Sequence, residues 1–180
     1  MSTAPATVST RHVIVDSPIG PLTLVRDDGD DSGLTGLYYP GHWTRPDRAS
    51  FGPRVKPSDD QGFDEAIGQL SEYFAGERRD FDLPLNPRGS DTARQVWQLI
   101  AVIRYGQTTT YGKLAGRVGD SVSPRYIGGF VGANPLSIFI PCHRVVGAGG
   151  KLTGYAGGLD RKRYLLELEK AIPASSQPLR

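Results

Sequence analysis

Apolar and polar positions form three short strand-like runs within the first forty residues. The runs are HVIV at 12–15, PLTLVRD at 21–27 and GLTGLYYP at 33–40. Runs rich in Val, Ile, Leu and Tyr are typical of strands when turn-forming residues separate them, as the segments SPIG and DDGDDSG do here. The pattern predicts two hairpins of a three-stranded antiparallel sheet.

Helical spacing replaces this pattern after the segment 40–62, whose Pro, Gly, Asp and Arg content predicts a surface loop. Four apolar residues then recur every three or four positions: Phe63, Ile67, Leu70 and Phe74. They predict a helix from about Asp64 to Ala75, which Gly76 ends and which covers one face of the sheet.

Short helices make up the second half of the chain. One apolar face runs through SDTARQVWQLIAVI at 90–103. Thr110 is placed to cap a helix that continues through Val118, and Ser123 and Pro124 occupy the cap and the first position of another. Two short helices joined by a tight turn indicate a helix-turn-helix.

Three glycines, Gly128, Gly129 and Gly132, lie in the second of these two helices. Each glycine costs a helix about 1 kcal/mol relative to alanine, so three within five positions call for a physical reason. Either a partner such as a DNA groove approaches this helix, with Arg125 projecting from its first turn, or another helix packs tightly against it.

The two halves of the chain carry opposite net charges, although the whole chain has a net charge of only +2. Residues 1–88 hold 9 Lys and Arg against 14 Asp and Glu, a net of −5, and residues 89–180 hold 12 against 5, a net of +7. A polyanion would be drawn to the basic half, although solvated charged faces alone also produce such asymmetry. Pattern and charge together predict two lobes with these bounds.

Composition disfavours several classes of protein. The amino terminus has no apolar run of signal-peptide length, and no window approaches the roughly 18 apolar residues that span a bilayer, so we expect a cytoplasmic protein without membrane association. One cysteine cannot form an internal disulfide, and histidines at 12, 42 and 143 form no cluster in the sequence, so we expect no metal site. The small, polar first ten residues and the tail AIPASSQPLR predict disorder.

The single cysteine, Cys142, lies within NPLSIFIPCHRVVGAGG at 134–150. A thiol is mostly neutral at pH 7, because its ordinary pKa is about 8.5, so a nucleophilic cysteine needs a base such as the adjacent His143 or a positive field. Adjacent strand residues point to opposite faces, so a turn or a water must connect the two side chains. From these residues alone, Cys142 is either a nucleophile in an accessible pocket or a small buried apolar residue.

The motif IPCHRVV, preceded by RYIGGFVGANP and followed by GKLTGYAGGLDRKRYLLELE, resembles the active-site region of the O6-alkylguanine-DNA alkyltransferase family. Its members are also called methylated-DNA–protein-cysteine methyltransferases. The resemblance runs from about Asp91 to Lys170, and DSPIGPLTL and YFAGE match the amino-terminal lobe of the family more loosely. It implies an α/β lobe of ribonuclease H-like type over 1–88 and a mostly helical lobe with a helix-turn-helix over 89–180.

The resemblance also implies a role for each of five catalytic residues. Cys142 matches the cysteine that accepts the alkyl group, His143 the histidine that takes its proton through a water, and Glu169 the glutamate that orients this histidine. Tyr111 matches the tyrosine that donates to the departing base, and Asn134 the asparagine that links the recognition helix to the active-site segment. Without the family pattern, Tyr111 and Glu169 would be interpreted as surface residues.

DNA contacts implied by the resemblance centre on the second helix of the helix-turn-helix, which enters the minor groove. Arg125 matches the arginine that fills the space left by a flipped base, and Tyr126, Gly128 and Gly129 are further expected DNA contacts. Relatives usually place small residues where this chain has Tyr126 and Phe130, so these two side chains either pack inward or crowd the groove.

The substrate pocket implied by the resemblance is walled by the loop 152–157. The Ala156 N–H is expected to meet the guanine oxygen, and the carbonyls of Cys142 and Val145 to accept from the guanine amino group. Ser137 stands where some relatives have a proline lining the pocket. The implied pocket residues are Val145, Tyr155, Ala156 and Gly157.

The implied activity is the irreversible, single-turnover transfer of an alkyl group from O6-alkylguanine in double-stranded DNA to Cys142, after the base is flipped out. We expect no cofactor, and a monomer in the absence of DNA. Two alternatives remain open: a Cys-His hydrolase, which would turn over excess substrate, and a non-catalytic protein that recognises alkylated bases, which would need no thiol.

Overall fold

The computed structural model describes residues 9–28 and 32–175. Residues 1–8 and 176–180 of the two ends predicted to be disordered, and 29–31 of the predicted second turn, lie outside the described residues. The prediction of disorder was wrong for Thr10, which begins the first strand, and for 171–175, where the N–H groups of Ala171 and Ser175 donate hydrogen bonds to Leu166 and Glu167. The described chain forms an amino-terminal lobe around a sheet and a mostly helical carboxy-terminal lobe. This division into an α/β and a helical part confirms the predicted fold class.

Three antiparallel strands form the amino-terminal sheet in the order β1-β2-β3. Their bounds are β1 Thr10–Val15, β2 Leu22–Asp27 and β3 Leu34–Tyr38. Val13 is paired with Leu24, and Leu24 with Leu37, so one apolar row of completely buried side chains crosses the sheet. The register between β2 and β3 shifts once, between Val25 and Arg26.

Helix α1, Asp64–Phe74, shares one hydrophobic core with the sheet. Phe63 and Tyr73 are completely buried and Leu70 nearly so. Burial of an apolar side chain of this size stabilises the fold by about 1.5–3 kcal/mol, so these three residues hold α1 against the sheet. The preceding loop contains three short 3-10 turns, at Arg48–Phe51, Pro57–Asp59 and Gln61–Phe63.

The carboxy-terminal lobe contains four helices and a two-strand parallel ladder within the described residues. The helices are α2 Asp91–Ala101, α3 Tyr111–Val118, α4 Pro124–Gly132 and α5 Leu159–Leu168, and the ladder pairs β4 Thr109–Thr110 with β5 Val145–Val146. Trp97 of α2 is buried and donates from Nε1 to the carbonyl of Phe130 at 2.9 Å, which fixes α4 against α2. None of the helices in the described residues has the length and apolar content needed to cross a membrane.

Side-chain caps begin α2, α3 and α4 of this lobe where the sequence predicts them, whereas α5 begins after Gly158 without a side-chain cap. Ser90 accepts a hydrogen bond from the N–H of Ala93 at the start of α2. Thr110 caps α3 in the same way, and Ser123 caps α4 with Pro124 at its first position. A cap of this kind stabilises a helix by about 1 kcal/mol, which explains why two such short helices begin at defined residues.

Backbone and side-chain bonds join the two lobes along one face. The Leu37 N–H of β3 donates to the carbonyl of Pro135 at 2.8 Å. The hydroxyl groups of Tyr39 and Tyr155 lie 2.7 Å apart. Because apolar residues of both lobes belong to a single buried cluster, the amino-terminal sheet directly supports the segment that leads to Cys142.

Candidate active site

The segment between α4 and Cys142 forms a tight turn that Asn134 holds together. Its Nδ2 donates to the carbonyl of Ile140 at 2.8 Å, and its Oδ1 accepts from the Leu136 N–H at 3.0 Å. At the centre of the turn Ile138 has a φ of 72°, a conformation that β-branched residues rarely adopt. Asn134 therefore links the end of α4 to the cysteine segment, and both its bonds are buried.

Cys142 begins a 3-10 turn, Cys142–Arg144, in which all three residues are buried. The turn places successive side chains in different directions, in contrast to the two opposite faces of a strand. His143 is completely buried, and its Nε2 lies 2.7 Å from Oε1 of Glu169. Its Nδ1 has no hydrogen-bond partner among the described residues. The turn thus gives the histidine one occupied and one available nitrogen.

Glu169 follows the last residue of α5, and donors from four residues surround its buried carboxylate. Besides His143, Tyr73 donates to Oε1 at 2.7 Å, and Arg144 donates from Nε to Oε2 at 2.9 Å and from Nη2 to Oε1 at 3.0 Å. The N–H of Gly106 lies 3.4 Å from Oε2. Burial alone would raise the pKa of Glu169, but the bonds and charges of His143 and Arg144 outweigh it and lower the pKa to about 2.

The Cys142 thiol has a raised pKa, because burial disfavours the thiolate. The polar groups of Asn134 and Ser137 and the positive charge of Lys162 act in the opposite direction and offset part of this effect on the pKa. The buried Ser137 Oγ has no hydrogen-bond partner in the described part of the chain, so it is available to a thiolate. The resting thiol is therefore protonated, and it is surrounded by groups that stabilise a thiolate when one forms.

Lys162 is a buried residue of this site that sequence reasoning missed. Its Nζ donates to three carbonyls, those of Val145 at 2.6 Å, Thr153 at 2.9 Å and Gly154 at 3.2 Å. Burial lowers its pKa to about 8, against the opposing effect of Cys142. The available signal was its position on α5, because Lys162, Leu165, Leu166 and Glu169 recur on one helical face.

A cavity of about 400 Å³ lies in front of the thiol. Cys142 lines it together with residues of α3, α4, the loop 153–156 and the amino-terminal loop after β3. The predicted site residues that line this cavity are Tyr111, Arg125, Gly128, Cys142, Tyr155 and Ala156. His143, Glu169 and Asn134 lie behind the cysteine. The sequence-predicted residues are therefore arranged as one lining layer and one supporting layer.

The remaining predicted residues lie outside the cavity lining. Gly157 faces the ring of Tyr39, where a Cβ would come within 2.4 Å of the ring carbon Cδ2. The Val145 carbonyl accepts from the buried Lys162 ammonium group. Tyr126 is 54% exposed and packs edge-to-face on Phe130, with ring centroids 5.0 Å apart, so Phe130 turns towards the core and Tyr126 towards solvent.

The three glycines of α4 have different surroundings. A Cβ on Gly128 would lie 3.9 Å from the ring of Tyr111, and one on Gly132 would lie 2.8 Å from the indole of Trp43. Gly129 faces open space among the described residues. Gly132 therefore leaves room for an aromatic side chain of the same chain, a Cβ on Gly128 would make only an ordinary van der Waals contact, and Gly129 leaves an open helix surface.

Tyr111 and Arg125 lie at the cavity from two different helices. The Tyr111 hydroxyl donates to the Thr153 carbonyl at 3.3 Å, and burial raises the pKa of this phenol, with a further contribution from Cys142. The Arg125 side chain is exposed in the first turn of α4 and makes no ion pair within the described residues. Tyr111 is thus held as a neutral donor, whereas Arg125 is available to a partner.

Comparisons with known proteins match both halves of the chain. The family model described as "6-O-methylguanine DNA methyltransferase, DNA binding domain" matches residues 91–171, and the one described as "6-O-methylguanine DNA methyltransferase, ribonuclease-like domain" matches residues 11–87. A methylated-DNA–protein-cysteine methyltransferase of Mycobacterium bovis is 46% identical over 157 residues, which cover 87% of this chain and 90% of the relative. One of Methanosarcina acetivorans is 41% identical over 158 residues, or 88% of this chain and 97% of the relative.

Solved structures give the same result. The crystal structure of Mycobacterium tuberculosis O6-methylguanine methyltransferase matches with a TM-score of 0.77 and 43% identity, covering 93% of this chain and 96% of that one. The structure of Mycobacterium tuberculosis OGT in complex with DNA matches with a TM-score of 0.76 and 44% identity, over 89% and 93% of the two chains. These matches confirm the family resemblance of the PCHRV region, and the chain belongs to the 6-O-methylguanine DNA methyltransferase family, whose named members are methylated-DNA–protein-cysteine methyltransferases.

Proposed function

We propose that this protein repairs double-stranded DNA by moving the alkyl group of O6-alkylguanine to the sulfur of Cys142. The observation that carries the proposal is the position of the only cysteine of the chain. Cys142 lines the cavity, while the adjacent His143 is held from behind by Glu169 at 2.7 Å. The sulfur–carbon bond forms as the carbon–O6 bond breaks, and guanine leaves.

The proton of the thiol goes to His143 through a water. Because Nε2 of the imidazole donates to the Glu169 carboxylate, Nδ1 is the nitrogen that accepts. Burial lowers the pKa of His143, so the ring is neutral and able to take a proton at pH 7. The imidazolium that forms then has a carboxylate partner already in place, which favours proton transfer in a buried site.

The thiolate is stabilised by three groups that surround it. Asn134 and Ser137 offer hydrogen bonds, and the Lys162 ammonium group supplies a positive charge. These groups are fixed in the folded protein, so they need no reorganisation when the negative charge develops. The raised resting pKa and the stabilising groups together favour a thiolate that forms only when the substrate is bound.

The base is recognised by the residues on the other side of the cavity. Tyr111 has a raised pKa and therefore keeps its proton, which it donates to the departing guanine and recovers from water. The Ala156 N–H donates a hydrogen bond to the guanine oxygen. The carbonyls of Cys142 and Val145 accept hydrogen bonds from the guanine amino group. The Val145 carbonyl already accepts from Lys162, but a carbonyl oxygen has a second lone pair for this bond.

Duplex DNA binds at α4, whose exposed first turn borders the cavity. The basic carboxy-terminal half, with a net of +7 over residues 89–180, supplies the phosphate contacts. Helix α4 enters the minor groove, Gly129 allows a close approach, and Arg125 fills the space of the flipped base. Extrusion of a base costs a few kcal/mol, which these contacts offset. The protein binds as a monomer.

A thioether on Cys142 has no leaving group that water displaces readily, so the reaction occurs once per chain. Intact mass spectrometry after incubation with excess duplex containing O6-methylguanine tests this. We expect the gain of one methyl group on Cys142, ending at one per chain, and no gain for Cys142→Ala. Continued turnover of substrate without a mass change would favour a Cys-His hydrolase, and binding without either would favour a recognition protein.

A further inference from the structure

One wall of the cavity in front of Cys142 comes from the amino-terminal lobe. Trp43 follows β3, lines this cavity and keeps its indole 63% exposed. The other tryptophan, Trp97, has a structural place, because it is 3% exposed and its Nε1 donates to a backbone carbonyl. The Trp43 indole has no hydrogen-bond or aromatic partner in the described part of the chain. Its exposure is therefore not explained by the fold.

The backbone of Trp43 is held in place by a hydrogen bond and by the packing of neighbouring residues. Its N–H donates to the carbonyl of Ala156 at 3.0 Å, across the two lobes. The preceding His42 stacks on Tyr39 with an interplanar angle of 12°, and Tyr39 is bonded to Tyr155 of the pocket loop. The turn that carries Trp43 is thus attached to the pocket loop at two points, so its backbone keeps a defined position beside the pocket.

Helix α4 leaves space for this indole. A Cβ on Gly132 would lie 2.8 Å from Cζ2 of Trp43, which is shorter than van der Waals contact allows. The absence of a Cβ at Gly132 therefore lets the indole pack closely against the end of α4. The result is an aromatic surface beside the reactive sulfur, formed by one residue of each lobe.

We infer that Trp43 determines which O6-alkyl groups the protein accepts, by contacting substituents larger than methyl. The inference rests on the proposed function, in which the Ala156 N–H meets the guanine oxygen. The substituent on that oxygen then lies between Ala156 and Cys142, next to the residue whose backbone is bonded to Ala156. A methyl group has no atoms beyond the carbon that the sulfur attacks, whereas the ring of a benzyl group must occupy the cavity that Trp43 lines, where two aromatic rings can pack favourably.

Rates of transfer from O6-benzylguanine and O6-methylguanine test this, each presented as a free base and in a duplex. For Trp43→Ala we expect the rate with benzyl to fall about tenfold in both forms, as expected for a lost aromatic contact, and the rate with methyl to change little. Trp43→Phe, which keeps an aromatic ring, should retain the preference. Val102→Ala, which alters an equally exposed apolar residue (64%) at the end of α2, should react like the unaltered chain.

Gly132→Ala provides an independent variant, because it displaces the indole without removing it. Alanine favours a helix more than glycine does, so α4 should remain folded. We expect the same selective loss of benzyl transfer. In a Cys142→Ala background, O6-benzylguanine should quench the fluorescence of Trp43, and the quenching should disappear when Trp43→Phe is added.

Several results would overturn this inference while leaving the proposed function intact. Equal losses for methyl and benzyl would make Trp43 a structural residue, losses confined to the duplex would make it a DNA contact, and no loss would remove it from recognition. The proposed function itself fails if the unaltered chain takes up neither group. The two failures are therefore distinguishable in one set of reactions.

Discussion

Nε2 of His143 and Oε1 of Glu169 lie 2.7 Å apart with both side chains completely removed from solvent. The two residues reach this position from different elements, the histidine from the 3-10 turn after Pro141 and the glutamate from the end of α5. The contact orients the imidazole and leaves Nδ1 free to accept a proton. This geometry behind the cysteine is what the proposed proton transfer requires.

Glu169→Gln should lower both the stability of the fold and the rate of alkyl transfer. The substitution leaves Arg144 buried without its charge partner, and breaking a buried ion pair in this way typically costs about 3–5 kcal/mol. The rate of alkyl transfer should also fall in the folded fraction, because the imidazolium loses its stabilising charge. Urea unfolding and single-turnover rates measure the two effects, with Glu167→Gln on the same helix as the control. A rate that stays unchanged in the folded variant would remove Glu169 from the reaction.

Stability should fall at acidic pH within a defined window. The pKa of Glu169 is lowered to about 2 from its ordinary value of 4.5, so the unfolded chain binds a proton at this position before the folded chain does. Its contribution, about 3 kcal/mol, is complete above pH 4.5 and is lost as the pH falls towards 2. Urea unfolding between pH 3 and pH 6 should show a weaker pH dependence for Glu169→Gln than for the unaltered chain. Parallel curves for the two proteins would contradict this assignment.

Lys162→Met should loosen the pocket loop. The substitution keeps an apolar chain of similar length but removes the donor of three carbonyls, and buried acceptors left unsatisfied cost about 1–3 kcal/mol. We expect faster hydrogen exchange in residues 145–154 and slower alkyl transfer. Lys170→Met, at an exposed position just after α5, is the matched control. Unchanged hydrogen exchange in residues 145–154 would show that the loop keeps its structure without the Lys162 hydrogen bonds.

Arg125→Ala should impair repair of duplex DNA far more than reaction with a free O6-alkylguanine base. Only the duplex requires base flipping, so the rate with duplex should fall roughly 10- to 100-fold, corresponding to about 1–3 kcal/mol of lost contacts. The comparison uses single-turnover rates on the two substrates, with the exposed Arg94→Ala of α2 as the control. Equal losses on both substrates would place Arg125 in the pocket or the fold.

Local sequence patterns predicted the elements of this protein well. The strands, α1 and the capped starts of α3 and α4 follow from features within a few residues, such as Ser123 before Pro124. The orientations of the Tyr126 and Phe130 side chains could not be predicted in this way, because a spacing of four residues does not say which side chain faces the core. Packing against α2 decides it, through the bond between Trp97 and the Phe130 carbonyl.

The supporting layer of the site was predictable only in part. Family resemblance led to Glu169, but its donors Tyr73 and Arg144 come from positions 96 and 25 residues away, and no local pattern links them. Lys162 lies on the apolar face of α5, but this spacing does not say which groups its ammonium contacts, and Trp43 lies in a loop without periodicity. Spacing within a helix can place a residue on a buried face, but it does not identify the residues that it meets through tertiary contacts.

The hydrogen bond between the Leu37 N–H and the Pro135 carbonyl limits how far the sequence of one lobe can change without the other. Through this hydrogen bond, strand β3 positions the turn that leads to Cys142. A one-residue insertion in the strand would therefore shift the reactive sulfur, although about a hundred positions separate the two in the chain. A carboxy-terminal half transplanted onto the sheet of a distant relative would meet a strand of different register. We therefore expect β3 to tolerate insertions only where the position of Cys142 in the other lobe is preserved.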